Sequence, residues 1–195
     1  MELFDAIKNR RSIRQYQNTP VNDKTIETIL EAGRWAPSWA NTQCWRFIVV
    51  RDPKVKAAIA DSLMKLQLPD GTTRDNPGSV AINTVPAVIV VCAEMGKSGC
   101  RPGASPDGVP ITDKGDWFMF DTALAVQNMV LTAHSLGLGT VILGLFDAPA
   151  VEKALGVPKG YRVVTLFPVG VPAKEGKAPP RKELTEIVLK DKWSA

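Results

Sequence analysis

The 195-residue chain has one histidine, three cysteines, two tyrosines and little charge imbalance, and each scarcity closes off a class of function. With His134 alone, a Ser-His-Asp or Cys-His hydrolase would have to route every proton transfer through one ring. That ring falls inside a strongly apolar stretch, where it reads as a packed, hydrogen-bonded residue. No cluster of histidine with carboxylates stands at transition-metal spacing. Cys44, Cys92 and Cys100 are odd in number, scattered and without C-x-x-C spacing, so they read as reduced packing or surface residues, with Cys100 the one placed to be an exposed thiol. The longest apolar run, 85–93, is interrupted by Pro86 and falls far short of the roughly 20 residues that a membrane helix needs. Residues 1–14 contain no apolar signal core, which makes the cytoplasm the expected location. Twenty-four basic against twenty acidic side chains leave a net charge of +4, too small and too dispersed for a nucleic-acid footprint. The aromatic–basic run Trp45-Arg46-Phe47 is better explained as part of an apolar strand.

What is present describes one globular domain. Hydrophobic residues make up 45% and charged residues 23% of the chain, and a chain of this length buries about 70% of its unfolded surface without a disulfide or metal. Leu3, Phe4 and Ile7 lie at helical spacing. Asn22 or Asp23 can cap a second helix with Ile26, Ile29, Leu30 and Gly33 on its inner face, ended by Pro37. A loop over 37–44 leads into a strand over 45–50. Asp52-Pro53 opens a third helix carrying Val55, Ile59, Leu63 and Leu66. Residues 69–78 read as loop and 87–93 as a strand buried on both faces. The stretch 94–115, rich in glycine, proline and mixed charge, reads as a long surface excursion of the kind that forms lids.

The longest helix is expected over 116–136, apolar around most of its circumference and so buried on nearly all sides. Packing against a second subunit is one way to achieve that. Strands over 140–145 and 161–169, a short helix over 149–155 and a terminal helix over 182–189 complete four strands and five or six helices. Without strict βαβ alternation the class is α+β, one sheet covered by helices.

Two apparent nucleotide motifs fail. Gly137-Leu-Gly139-Thr-Val-Ile-Leu-Gly144 follows a helix and opens a strand, the reverse of a dinucleotide fingerprint. Gly96-Lys97-Ser98 lacks the earlier glycine of a phosphate loop, since Val91 stands there. With side-chain chemistry so sparse, an organic cofactor is the expected source of reactivity. Arg10-Arg11-Ser12-Ile13-Arg14 suits a phosphate or other delocalised anion, because guanidinium bonds oxyanions as a planar fork. Alone, it reads as a solvated basic turn just as readily. Ser38, Asn41 and Gln43 beside Trp39 and Trp45 suit the heteroatom edge of a flat ring, or an ordinary helix-to-strand loop.

Taken in register, Arg10-Arg-Ser-Ile-Arg14, Ala36-Pro-Ser-Trp-Ala-Asn-Thr-Gln-Cys-Trp-Arg-Phe47, Gly137-Leu-Gly-Thr140 and Pro179-Pro-Arg-Lys182 resemble the nitroreductase family of FMN-dependent oxidoreductases, from about residue 4 to about 188. The resemblance implies a single FMN-binding domain over 1–195 and an intertwined homodimer, its central, mostly antiparallel sheet wrapped by helices and its flavins at the subunit interface. It implies that Arg10, Ser12 and Arg181 hold the FMN phosphate, with Arg11 near the same edge, and that Arg14 lies beside N1 and the C2 carbonyl. Pro37, Ser38, Trp39, Asn41 and Gln43 correspond to the loop given to the partner's flavin. Ile142, Leu143 and Gly144 correspond to the segment behind the ring, with the N–H of Leu143 or Gly144 near N5. No side chain is implied as a catalytic acid or base, and no metal. NADH or NADPH is the implied hydride donor, with a nitroaromatic, quinone or other flat small-molecule acceptor reduced in turn at the shared face. Dehalogenation, azoline oxidation and flavin cleavage occur on the same fold, and a flavin-binding protein without turnover is the non-enzymatic alternative. The chain departs from the family's pattern at Cys44, where many members have proline, and at Leu143, where some have an acidic residue. Residues 64–78 offer no counterpart to the family's mid-chain flavin contact.

Overall fold

The computed structural model describes residues 1–101 and 106–193. A four-stranded antiparallel sheet in the order β1-β4-β6-β5 forms the middle layer, from β1 (Trp45–Val50), β4 (Ala87–Glu94), β5 (Gly139–Thr140) and β6 (Tyr161–Gly170). Strand β4 is central because its seven residues 87–93 are apolar and fully covered, so neither face can meet water. Its side chains alternate between two cores. Val88, Val90 and Cys92 join one with Ile59, Ile82 and Val151, whereas Ala87, Ile89 and Val91 join another with Ile26, Ile29, Met129 and Val130. Helices therefore cover both faces of the sheet, and the expected α+β class describes this chain.

Helix α1 (Leu3–Asn9) leads to α2 (Asp23–Arg34), which starts where the Asn22 side chain accepts a bond from the Thr25 N–H at 2.8 Å. Helix α2 buries Ile26, Ile29 and Gly33 against α5 (Phe118–Ser135). On the other face lie α3 (Pro53–Asp61), α4 (Pro77–Thr84) and α6 (Ala148–Leu155), each with proline in the first turn and a capping Asp52, Asn76 or Asp147 before it. A hairpin of β2 (Leu66–Gln67) and β3 (Thr73–Arg74) precedes α4, and α7 (Leu184–Ile187) is a single turn near the end.

Several expectations are corrected. Helix α3 stops at Asp61, so Leu63 instead bridges Phe146 and Leu66 enters the hairpin. Within 69–78 the chain turns at Gly71, pairs as β3 and starts α4, whose Asn76-Pro77 cap and first position resemble any other turn in sequence. The strand expected over 140–145 is paired only at 139–140 and again at the Leu143–Leu166 bridge. Both pairings share one register, so the chain leaves the ladder at Val141 and Ile142 and returns. The terminal helix covers 184–187 only, and its apolar residues Leu184 and Ile187, with Val188 and Leu189 after it, are largely exposed and so give it little tertiary support.

Within the protomer, helix α5 is not covered all round. It covers Ala125, Val126, Met129, Val130 and Ala133 but leaves Met119, Phe120 and Ala123 exposed. Of the expected 94–115 excursion, most of 106–115 is exposed, whereas its first part is packed. Its described residues close as a narrow loop through the Cys100–Pro110 bridge, with Ser98 and Cys100 buried, while 102–105 lie outside the described residues. Cys100 is thus not an exposed thiol; all three cysteines are free and buried.

Candidate functional site

Helix α1 ends at Asn9 with Arg10 as its C-cap, and the chain then runs extended beside β5, pairing Ser12 with Thr140 through an Ile13 N–H to Thr140 carbonyl bond of 2.9 Å. Gly139 makes this approach possible: a Cβ there would stand 2.8 Å from Ile13 Cβ. Between the two segments opens a cavity of about 500 Å³ lined by Arg10, Arg11, His134, Gly139, Thr140 and Gly176 among others. Arg11 is oriented by bonds from its guanidinium to the carbonyls of Lys8 and Arg10, at 2.5 and 2.8 Å. The Arg10 guanidinium is pushed below its ordinary value by burial first, then by the charges of Arg11 and Arg181. Arg181, from the far end of the chain, acts on Arg10 through its charge but is exposed and does not line the cavity. Glu175 lines the cavity as well, yet among the described residues no ion pair joins any carboxylate to Arg10, Arg11, Arg14 or Arg181. A concave cluster of unneutralised guanidiniums favours a bound oxyanion, whose charge would relieve their mutual repulsion.

His134 differs from its sequence reading. Its Nε2 is buried with no hydrogen-bond partner among the described residues, and its ring lines the cationic cavity. Burial first, then Arg10 and Arg11, hold the imidazole below its ordinary value of 6.5.

From Thr140 the chain carries this cavity toward a second region. At about 3.3 Å per extended residue, Gly144 lies roughly 13 Å further along. Ile142 and Gly144 are exposed, whereas Leu143 is buried and locked to β6. The Leu143 N–H donates to the Leu166 carbonyl at 2.8 Å, and the Leu143 carbonyl accepts from the Thr165 hydroxyl at 2.8 Å. Of the two amides expected near a ring, only that of Gly144 is without a partner among the described residues. Gly144 borders another cavity, of about 340 Å³, with Phe118, Met119 and Arg162. Arg14 is exposed, and its charge opposes the burial that raises the Tyr16 phenol.

Pro37, Ser38, Trp39, Asn41 and Gln43 form a compact loop between α2 and β1, and none of them lines the cationic cavity of the same protomer. The Gln43 N–H donates to Ser38 Oγ at 3.0 Å, and Trp39 stacks obliquely on Trp117, with ring centroids 5.1 Å apart. Of the residues expected at the site, Arg10 and Arg11 line the cationic cavity and Ser12 pairs with Thr140 on its wall, whereas Arg14, Arg181, 142–144 and the 37–43 loop do not line it. Two residues went unremarked as site candidates: Asp121, an acid buried in an apolar helix and bonded to this loop, and Gly176, in whose place a Cβ would meet Arg11 Cβ at 2.3 Å. A carboxylate amid apolar helical neighbours was the available signal for the first; the second had none.

Residues 7–171 match the nitroreductase family, and the chain belongs to it. A protein from Methanothermobacter thermautotrophicus, named as an NADH dehydrogenase/NAD(P)H nitroreductase, is 30% identical over 89% of this chain and 79% of its own length. An iodotyrosine deiodinase of Nematostella vectensis is 27% identical over 96% of this chain and 74% of its own. Among solved structures, one from Desulfovibrio desulfuricans, named as a nitroreductase and in complex with FMN, superimposes with a TM-score of 0.76 at 29% identity, covering 100% of this chain and 99% of the other.

Proposed function

We propose that this chain is an FMN-dependent oxidoreductase that uses NADH or NADPH to reduce a flat acceptor such as a nitroaromatic or quinone, donor and acceptor occupying one face in turn. The observation that carries this reading is the pair of guanidiniums, Arg10 and Arg11, lining the 500 Å³ cavity without a carboxylate partner among the described residues, joined by an edge strand to the 142–144 segment, where Ile142 and Gly144 are exposed. The residues fit the cofactor's two ends: an anionic group at Arg10, Ser12 and Arg181 with Arg11 beside them, and a flat group against Ile142, Leu143 and Gly144. Bound FMN supplies hydride acceptance and release at N5. The Gly144 N–H is the amide available to orient toward that atom, and Arg14 offers positive charge where a reduced flavin becomes anionic. The protein's share of the work is position, charge and exclusion of water, with no side chain acting as acid or base.

None of the 37–43 residues lines the cationic cavity of its own protomer, and a second copy would bring that loop to the flavin. Apolar side chains without cover in the protomer (Leu3 and Phe4 in α1, Met119 and Phe120 in α5, Leu184 and Ile187 in α7) suit such a homodimer. A halogenated phenol in place of the nitroaromatic is the second reading, favoured by relatives named iodotyrosine deiodinase. No helix of the described residues is long and apolar enough to cross a membrane.

The test begins with absorbance. The purified or FMN-soaked protein is expected to show a bound-flavin spectrum that bleaches on anaerobic addition of NADH or NADPH and returns with a quinone or nitroaromatic. Arg10→Ala combined with Arg181→Ala is expected to release the flavin. A folded protein that stays colourless after soaking defeats the proposal, as does full FMN retention by the double variant.

A further inference from the structure

Asp121 is 1% exposed, and among the described residues no cation forms an ion pair with it. Neutral donors hold it instead. The Trp39 N–H donates to both carboxylate oxygens at 3.2 and 3.1 Å, the Thr42 hydroxyl reaches Oδ2 at 3.5 Å, and the Cys44 thiol faces the same oxygen at 4.0 Å. The Ser98 hydroxyl donates to Oδ2 from the 94–117 segment. Burying an acid this deeply carries a desolvation cost, which these four donors offset.

The loop it holds is strained. Ala40, Asn41 and Gln43 all have positive φ, of 45°, 57° and 47°. Asparagine tolerates that region; alanine has no side-chain bond to compensate for it. Three such residues within four positions persist only when the surroundings over-determine them, and Asp121 bonds the residues on either side of Ala40 and Asn41.

We propose that Asp121 is the positioning residue of the 37–43 loop, clamping Trp39 and Thr42 so that Ser38, Asn41 and Gln43 keep a fixed presentation to the flavin, and that through Ser98 it ties this loop to the 94–117 segment. This rests on the reading that the loop faces FMN. The stacking of Trp39 on Trp117, and of Trp117 on Phe120 at 4.9 Å, runs beside the same bonds. The loop is thus linked to Ser98 and Trp117 both through Asp121 and through the Trp39 ring.

The experiment titrates the full-length chain with FMN by flavin fluorescence quenching, with visible-region circular dichroism of the bound flavin as the second readout and far-ultraviolet dichroism as the check on folding. Asp121→Asn keeps the shape but removes the charge and turns one acceptor into a donor facing other donors. It is expected to weaken FMN binding about tenfold or more and to alter the flavin dichroism. Adding Ala40→Gly is expected to restore part of the loss, because glycine takes positive φ without a Cβ penalty. Ser98→Ala is expected to give a smaller loss.

Wild-type affinity and dichroism in folded Asp121→Asn would overturn the proposal. So would a loss that Ala40→Gly does not relieve. If Asp121→Asn fails to fold, Ser98→Ala and Thr42→Val decide, and unchanged affinity in both overturns it. Failure of the wild-type chain to bind FMN is a separate arm: it defeats the flavin reading itself, and this proposal with it.

Discussion

His134 shows how far a single residue's meaning depends on what surrounds it. In the sequence it is the lone titrating ring of an apolar helix, and packing is the economical account. In the structure it lines one cavity with Arg10 and Arg11, and its Nε2 has no partner among the described residues. Burial and both arginines favour the neutral ring, so its folded value lies below 6.5, the ordinary value that the unfolded chain restores. Between the two values the unfolded chain binds more protons, and stability therefore rises with pH through that window and is lost as pH falls below 6.5. Chemical denaturation of the flavin-free protein is expected to show this acid-side loss, and His134→Gln to reduce it. Added FMN is expected to shrink it in the wild type, since a phosphate offsets the arginines. Cys44, by contrast, is chemically quiet: burial, then the charges of Asp121 and Asp116, push its thiol up to about 12.

Elements were legible where local signals were redundant. Asn22 before α2, Asp52-Pro53 before α3 and the unbroken branched run of β4 each state their element twice, by cap or composition and by periodicity. Legibility failed where pairing decided the outcome. The 140–145 segment has the composition of a strand, yet the ladder with β6 admits it only at its start and at Leu143. The packing of α2 on α5 turns on Gly33, where a Cβ would come within 2.8 Å of Met129 Cγ. Two effects compete there. Alanine gains up to about 1 kcal/mol in helix propensity, while overpacking costs about 1–3 kcal/mol. Gly33→Ala is therefore expected to change stability little, because methionine can yield, whereas Gly33→Val adds bulk that Met129 cannot clear. Urea unfolding is expected to show a loss of about 1–3 kcal/mol for the valine variant.

At the scale of the whole molecule, the uncovered apolar side chains of α1, α5 and α7 and the exposed Trp193 are costly for a monomer. Sedimentation at micromolar concentration is expected to give a two-chain particle. Leu184→Glu with Ile187→Glu is expected to shift it toward monomer and to weaken flavin binding, and a stable flavin-loaded wild-type monomer would contradict the dimer. Family, layer order and the basic cluster could be read from residue order alone, because motif spacing, caps and alternation are local properties that survive without coordinates. Only the tertiary structure decided what the buried acid meets. Asp121 lies 82 positions from Trp39; contacts across such separations are made by the packing of whole elements, which no local pattern records.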